Sequence, residues 1–185
     1  FDVLVLAVGV RPNIRLIEEA GGKVGRGISI NEKMEASIQD IYAAGDCTES
    51  YDISGNKQAV MALLPNAYMQ GECAGENMSG HGTTWDKAMP MNAIGLFGLH
   101  IITAGNYTGK VYFEDFEKNY KKLFYSNDRL NGYILIGNVD RAGIYTSLIR
   151  EKTPLSNIDF ELVCQKPGLM AFSREERKEK LGTLR

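Results

Sequence analysis

The sequence has no excess of positive charge and no long apolar run. Its 21 basic and 23 acidic side chains leave a formal net charge of −2, so it lacks the basic field that nucleic-acid binding requires. The longest apolar stretches, such as 3–10 and 59–64, fall well short of the roughly 18 apolar residues that cross a bilayer. We therefore expect neither nucleic acid nor a membrane as a partner.

Cysteine and histidine are also scarce. Cys47, Cys73 and Cys164 lie far apart without C-x-x-C spacing, and their odd number argues against a disulfide framework and for a reducing cytoplasm. Neither His81 nor His100 has a cysteine, histidine or carboxylate near it at metal-ligand spacing, which argues against a zinc site. His100 alternates with apolar residues and is expected in the core.

Patterning in the first part of the chain predicts alternating strands and helices. The run 1–8 is almost continuously apolar, the pattern of a strand buried on both faces of a parallel sheet. A turn and a short helix that ends at Gly21-Gly22 should follow, and then strands at 26–31 and 37–43. A buried strand at 1–8 needs neighbours, so we expect the chain to be cut from a longer one; the alternative is an edge position in a small sheet.

A hairpin and a helix are predicted next. Residues 51–64 resemble two strand segments joined by the turn Ser54-Gly55-Asn56. Pro65 suits the first turn of a helix, where its missing N–H would be unpaired anyway. This helix should run to about Met78 and carry a surface of small residues that packs closely.

The second part of the chain predicts an antiparallel sheet. Strand-like runs at 91–105, 110–116, 121–126 and 132–139 are separated by turn residues at Gly105-Asn106, Asn127-Asp128 and Asn131-Gly132, which favours a meander. Asp140 is the expected N-cap of a helix over 141–151, and Ser173 with Glu176 forms a capping box for a final charged helix. The fold class is therefore α/β (α+β): a segment with a parallel strand and helix, then a small antiparallel sheet with helices.

The stretch IYAAGDCTE at 41–49 runs apolar residues straight into a glycine and an aspartate. At the end of the predicted strand, two alanines and Gly45 let the backbone approach a ligand, while Asp46 accepts hydrogen bonds from hydroxyls such as those of a sugar or ribityl chain. The alternative is that Asp46 merely caps a turn, because Gly-Asp is common in loops.

The octapeptide D-I-Y-A-A-G-D-C at 40–47 resembles the second flavin-binding motif of the FAD-dependent pyridine nucleotide-disulfide oxidoreductase superfamily. The segment D-V-L-V-L-A-V-G-V-R-P-N at 2–13 is similar to the strand and G-x-x-P-N turn by which that family's chain returns to the flavin domain. In the family, the aspartate equivalent to Asp46 hydrogen-bonds the ribityl chain. The resemblance implies the same role here.

The family's next helix aims its N-terminus at the flavin pyrimidine ring, which implies this role for the predicted helix at 65–78. The positive end of a helix stabilises the negative charge that develops on a flavin when it is reduced. The alternative is an ordinary packing helix. The cofactor-binding residues that the resemblance implies are Gly9, Pro12, Ala44, Gly45, Asp46, Leu64, Pro65 and Asn66; it implies no catalytic residue and no metal ligand.

The segments 77–80, 121–125 and 131–143 look like the C-terminal domain of the rubredoxin reductase, nitrite reductase and NADH oxidase-like group, where that domain serves partner docking or subunit contact. The expected organisation is the last strand of an NAD(P)-binding domain with its return linker at 1–13, the C-terminal part of an FAD-binding domain at 14–87, and an interface or dimerisation-like domain at 88–185. A homo-oligomer is expected. No His-Pro with a downstream Glu is present, which disfavours thiol exchange.

No G-x-G-x-x-G follows a predicted strand, although the family carries one for FAD and one for NAD(P)H. The chain alone is therefore expected to be inactive and largely flavin-free. The resemblance implies a parent enzyme that passes a hydride from NAD(P)H through FAD to rubredoxin, oxygen, a fused nitrite-reducing centre or a small thiol-free carrier, and the sequence does not choose among them or between NADH and NADPH. The alternative is a non-catalytic assembly or docking domain.

Overall fold

Two compact units divide the chain in this computed structural model, which describes residues 1–182. The first unit holds residues 1–51 and 57–88, and the second holds 52–56 and the residues from 89 onward. None of the described helices combines the length and apolar character needed to cross a bilayer. The mixed α/β and antiparallel α+β fold class predicted from the sequence is confirmed.

The first unit contains a small mixed sheet and one long helix. Its elements are α1 (Arg15–Glu19), β1 (Ile28–Ser29), β2 (Thr48–Asp52), β3 (Lys57–Val60) and α2 (Leu64–Met78). The sheet order is β1-β2-β3, and β1 runs parallel to β2 with Ile28 opposite Thr48. The predicted short helix, brief strand, hairpin and long helix are thus confirmed.

Two predicted strands do not form. Residues 1–8 make no strand pairing within the described chain, and their apolar side chains are exposed, Val3 by 78% and Leu6 by 77%. An apolar run becomes a strand only where neighbouring strands accept its backbone hydrogen bonds. Residues 37–43 hold only an isolated bridge from Tyr42 to Glu35, because the chain turns at Asp40, whose φ is +62°. Residues 41–47 therefore precede β2, which starts at Thr48, and Asp46 does not lie at the end of a strand.

Both ends of α2 are defined by local chemistry. Pro65 occupies its first turn, where no intrahelical N–H is needed. At the other end, Ser79 Oγ donates to the Glu76 carbonyl at 2.8 Å, and Asn77 Nδ2 donates to the Thr83 carbonyl at 2.7 Å. The Ser79 contact satisfies a backbone carbonyl in the last turn of the helix. The Asn77 contact holds the chain that follows the helix.

The second unit is a five-stranded antiparallel sheet with helices. The strands are β4 (Met91–Leu96), β5 (Leu99–Gly105), β6 (Lys110–Phe116), β7 (Asn119–Ser126) and β8 (Arg129–Ile136); the helices are α3 (Ala142–Arg150), α4 (Phe160–Gln165) and α5 (Arg174–Gly182), with short 3-10 turns at Leu155–Asn157 and Leu169–Ala171. The strand order is β4-β5-β8-β7-β6, and every neighbouring pair is antiparallel.

The antiparallel prediction is confirmed, but the predicted meander is only partly right. The run 91–105 splits into β4 and β5 because Phe97 and Gly98 both adopt positive φ and form a two-residue turn. β5 then pairs with β8 and not with β6. Asn131-Gly132 was the wrong turn: both lie inside β8, since Asn127-Asp128 already reverse the chain with positive φ. His100 is exposed on β5 and not in the core.

The predicted caps give mixed results. Ser173 Oγ accepts from Glu176 N at 3.2 Å and Glu176 Oε2 accepts from Ser173 N at 3.1 Å, so the capping box is confirmed. Asp140 does not cap α3: the N-cap is Arg141, with φ +59° and no side-chain cap, and the Asp140 N–H donates to Asn138 Oδ1 at 3.0 Å. The turn from Asn138 to Asp140 precedes the helix, which starts one residue later than predicted.

Two buried tyrosines centre the core of the second unit. The rings of Tyr133 and Tyr145 lie 5.5 Å apart, and both side chains are almost fully buried. The Tyr133 hydroxyl pairs with Thr146 Oγ1 at 2.7 Å, and the Tyr145 hydroxyl donates to the Val163 carbonyl at 2.8 Å. Both polar atoms are therefore satisfied, which lets the rings pack without a desolvation cost for an unpaired hydroxyl.

Leu123→Ala tests this core. The Leu123 side chain is 0% exposed, and we expect its truncation to lower the free energy of unfolding by about 2–5 kcal/mol because a cavity replaces it. Leu162→Ala, at a position 38% exposed on α4, is the control and should cost less than about 1 kcal/mol. Urea unfolding followed by far-UV circular dichroism measures both, and equal losses would place Leu123 outside the core.

Candidate functional site

A tight turn at residues 44–47 leads directly into β2. Gly45 has a φ of +87°, a backbone conformation that favours glycine. Its carbonyl accepts from Thr48 N at 3.0 Å and from Thr48 Oγ1 at 2.7 Å. The turn is thus closed on its β2 side, and Asp46 lies at its exposed corner.

Helix α2 holds the other side of this turn through Gln70. Gln70 Oε1 accepts from the Gly45 backbone N–H at 2.8 Å and lies 3.0 Å from Thr48 Oγ1. Gln70 Nε2 donates to Ser50 Oγ at 3.3 Å. Gln70 is only 2% exposed, and its partners Thr48 and Ser50 are also buried. One buried side chain therefore joins the Gly-Asp turn, the first half of β2 and the middle of α2.

Sequence reasoning missed Gln70, Thr48 and Ser50. A signal was present, because α2 carries polar residues at helical spacing on the face that is buried, including Asn66 and Gln70. A polar side chain on a buried helix face is expected to have a hydrogen-bond partner. What the pattern does not reveal is the partner, since Gly45 lies 25 residues from Gln70 in the chain.

The three predicted residues at the start of α2 differ in exposure. Leu64 is 83% exposed, Pro65 is half-buried, and Asn66 is fully buried. The N-cap Leu63 makes no side-chain cap, and no acidic residue lies in the first turn. The positive end of the helix dipole is therefore neither capped by a side chain nor neutralised by a carboxylate of its own first turn.

The structure brings only some of the predicted residues together. Ala44, Gly45 and Asp46 lie against α2, since a Cβ placed on Gly45 would be 3.7 Å from Ala67 Cβ. Gly9 and Pro12 lie in the irregular segment before α1, and among the described residues no hydrogen bond joins either of them to the Gly-Asp turn.

The Asp46 residue is exposed. Within residues 1–182 it makes no hydrogen bond or ion pair, and no cluster of three or more metal-ligating side chains occurs there. A cleft of about 740 Å³ in the first unit is lined by Met34, Ser50 and Trp85 among others, but not by Asp46. Asp46 is thus an accessible acceptor on a fixed turn, and it lies outside that cleft.

The buried thiols are poor nucleophiles. Burial raises the pKa of Cys164 to about 12, partly offset by Lys121, and burial also raises the pKa of Cys73. Because the thiolate is the reactive form, both side chains stay protonated near neutral pH.

An ion pair in the second unit is structural. Lys121 Nζ lies 2.7 Å from Glu114 Oε2 and donates to the Cys164 and Gln165 carbonyls at the end of α4, at 2.8 and 3.1 Å. Burial acts to raise the pKa of Glu114, but hydrogen bonds from Lys121 and Tyr112 outweigh it and the pKa is lowered. All of these partners of Lys121 are protein groups. Its ammonium group therefore connects β6 and β7 to the end of α4.

Two protein families match separate parts of the chain. Residues 1–71 match the pyridine nucleotide-disulphide oxidoreductase family, and residues 90–153 match the rubredoxin NAD+ reductase C-terminal domain. These two matches make each of the chain's two units similar to oxidoreductases of these families.

Individual relatives are longer than this chain. The assimilatory nitrate reductase electron transfer subunit of Bacillus subtilis is 31% identical over 82% of this chain and 20% of its own length. The NADH-rubredoxin oxidoreductase of Clostridium acetobutylicum is 32% identical over 74% of this chain and 35% of its own length. The crystal structure of the Clostridium acetobutylicum NADH:rubredoxin oxidoreductase aligns with a TM-score of 0.63 at 32% identity, covering 83% of this chain and 40% of that one. The chain thus spans about a fifth to two fifths of these proteins.

Gly45→Ala and Gly71→Ala should have opposite effects. At Gly45 an added Cβ meets no clash, but the positive φ strains any other residue, so we expect a loss of about 1–2 kcal/mol in the free energy of unfolding. Gly71 lies in α2 with nothing within 4 Å of an added Cβ, and alanine there should stabilise the helix by up to about 1 kcal/mol. Thermal unfolding measures both; equal signs would contradict the turn geometry.

Proposed function

We propose that residues 14–87 form part of the flavin site of an FAD-dependent NAD(P)H oxidoreductase. The observation that carries the proposal is the Gly45-Asp46 turn, which Gln70 anchors to α2 while the Asp46 carboxylate stays exposed. A carboxylate that makes no internal contact and sits on a fixed turn is suited to accept hydrogen bonds from the hydroxyls of the ribityl chain. Ala44 and Gly45 keep bulky side chains away from that approach.

The start of α2 supports the same proposal. Its first turn lacks a side-chain cap and an acidic residue, and the backbone N–H groups of Leu64 and Asn66 belong to its positive end, whereas Pro65 has none. Such an end stabilises negative charge on a neighbouring group. In the proposed complex these amides face the pyrimidine edge of the flavin and favour its reduced form.

The proposed activity belongs to the full-length product of the gene that encodes these residues. FAD, when bound, would accept a hydride from NAD(P)H and pass electrons on to the acceptor. This chain contributes the Asp46 contact, the α2 dipole and the second unit, and residues 1–13, with Gly9 and Pro12, form the link from the nucleotide-binding domain. Rubredoxin is the acceptor we favour, because residues 90–153 match the rubredoxin reductase C-terminal domain and a relative is a NADH-rubredoxin oxidoreductase. The isolated chain is proposed to be inactive.

Asp46→Asn tests the flavin site. The amide keeps the shape of the side chain but loses its charge, and we expect the Kd for FAD to rise about 10- to 100-fold in the full-length protein, since a charge-assisted hydrogen bond contributes roughly 1.5–3 kcal/mol. Quenching of FAD fluorescence during titration of the apoprotein measures the Kd, and NADH-dependent dye reduction measures activity.

The control is Asp86→Asn, an exposed carboxylate elsewhere in the first unit, which should leave the Kd unchanged. A full-length protein that binds no FAD, or an Asp46→Asn variant with wild-type affinity, would exclude the proposed site.

A second role, in assembly, is favoured by the surface of the second unit. The β4–β5 hairpin exposes several large apolar side chains, with Phe97 100% exposed at its tip; the others include Ile94 and Leu96. Exposed apolar patches on soluble domains mark contact sites. We propose that this apolar hairpin surface joins two copies of the chain into a homo-oligomer.

Phe97→Ser tests this assembly surface. Removing the fully exposed ring should shift the protein toward the monomer, because aromatic anchors contribute a large share of interface energy. Light scattering coupled to size-exclusion chromatography measures the molar mass. Met170→Ser, which changes a side chain 75% exposed elsewhere in the second unit, should leave the mass unchanged. A monomeric wild-type protein would refute the assembly role.

A further inference from the structure

Gln70 is the described side chain that connects the Gly-Asp turn to α2, and neither the family resemblance nor any comparison gives it a role. We infer that Gln70 is a positioning residue for Asp46: it sets the direction in which the carboxylate meets the polyol chain of the flavin. The inference rests on the proposed flavin function and adds a residue to it. Gln70 touches the turn and not the ligand, so it acts through Asp46.

The orientation of the Gln70 amide is fixed by its partners. The Gly45 backbone N–H is an obligatory donor, so the Gln70 atom 2.8 Å away must be the acceptor Oε1. A flipped amide would place its NH2 group against that N–H. Nε2 is thereby directed to Ser50 Oγ, and the amide has one arrangement that satisfies both of its ends.

The contact with Gln70 restricts the turn on one side of Gly45, and Thr48 restricts it on the other. The Ala44–Gly45 peptide is held through Gly45 N, and the Gly45–Asp46 peptide is held through the Gly45 carbonyl by Thr48. With both flanking peptides anchored, the two backbone dihedrals of Gly45 are fixed at an otherwise permissive residue. The backbone of Asp46 leaves the turn in one direction as a result.

The burial of Gln70 indicates that its amide has a hydrogen-bonding role in addition to filling space. An amide that is 2% exposed loses its hydration on folding and is stable there only if its hydrogen bonds are made. A methionine of similar volume would fill the same space without that requirement. Gln70 therefore contributes direction to the turn in addition to packing.

The test separates positioning from packing with two substitutions in the full-length protein. Gln70→Met keeps the volume but removes the acceptor; we expect the Kd for FAD to rise about tenfold, the equivalent of losing one hydrogen bond to the turn, and the peptide containing Gly45 to exchange its amide hydrogens faster. Gln70→Glu keeps an acceptor oxygen, so it should hold the Kd within about threefold of wild type even though a buried carboxyl group costs more stability than methionine. Affinity and thermal stability should therefore rank the two variants in opposite orders.

Gln39→Met, at an exposed position, is the matched control and should change neither quantity. If Gln70→Met fails to fold, Thr48→Val removes the hydroxyl that contacts both the Gly45 carbonyl and Gln70 Oε1 but keeps the Thr48 N–H contact, and it should weaken FAD binding in the same direction by a smaller factor. Wild-type affinity in the variant that folds, or affinity losses that simply follow thermal stability, would overturn the inference. If Asp46→Asn weakens FAD binding and Gln70→Met does not, only the inference fails; if Asp46→Asn has no effect, the proposed flavin site fails and the inference fails with it.

Discussion

The hydrogen bond from the Gly45 amide to the buried Gln70 side chain is the constraint on which the first unit depends most. It joins residues 25 positions apart and brings three elements together that local propensity would leave independent: the loop before β2, β2 itself and α2. Because the amide of Gln70 has lost its contact with water, it must find its partners among protein groups. The loop is thereby held in one conformation without becoming part of a strand.

This constraint explains how the turn at 44–47 is held in place without a strand before it. The sequence around Asp46 predicts a strand before the glycine, whereas the structure places only a bridge at Tyr42 and a turn at 44–47. A carboxylate at the end of a strand is positioned by a ladder of backbone hydrogen bonds. Here the same result is reached by a side chain from a helix, so the chemistry predicted for Asp46 does not require the predicted strand.

Features with local causes were predictable from the sequence. The start of α2 follows from Pro65, and the capping box of α5 follows from Ser173 and Glu176 three residues apart, because each involves atoms within one turn of chain. Features with nonlocal causes were not. The pairing of β5 with β8 and the Gln70 contact both depend on which segments meet in space. Asp140 is not the N-cap of α3 as predicted, because Arg141 takes that position after the turn at Asn138. The sequence therefore predicted the residues of the Gly-Asp turn, but not Gln70, the side chain that anchors this turn to α2.

The hairpin turn between β4 and β5 has an energetic consequence. Two-residue turns of this hand favour asparagine or glycine at the first position, and Phe97 occupies it with a φ of +49°, a conformation that costs a bulky residue about 1–2 kcal/mol. The free energy of unfolding is thus lower than it would be with glycine or asparagine at this position, which instead carries an exposed aromatic ring. A residue better suited to that backbone would stabilise the turn but remove the exposed ring, so folding stability and the proposed self-association favour different residues at this position.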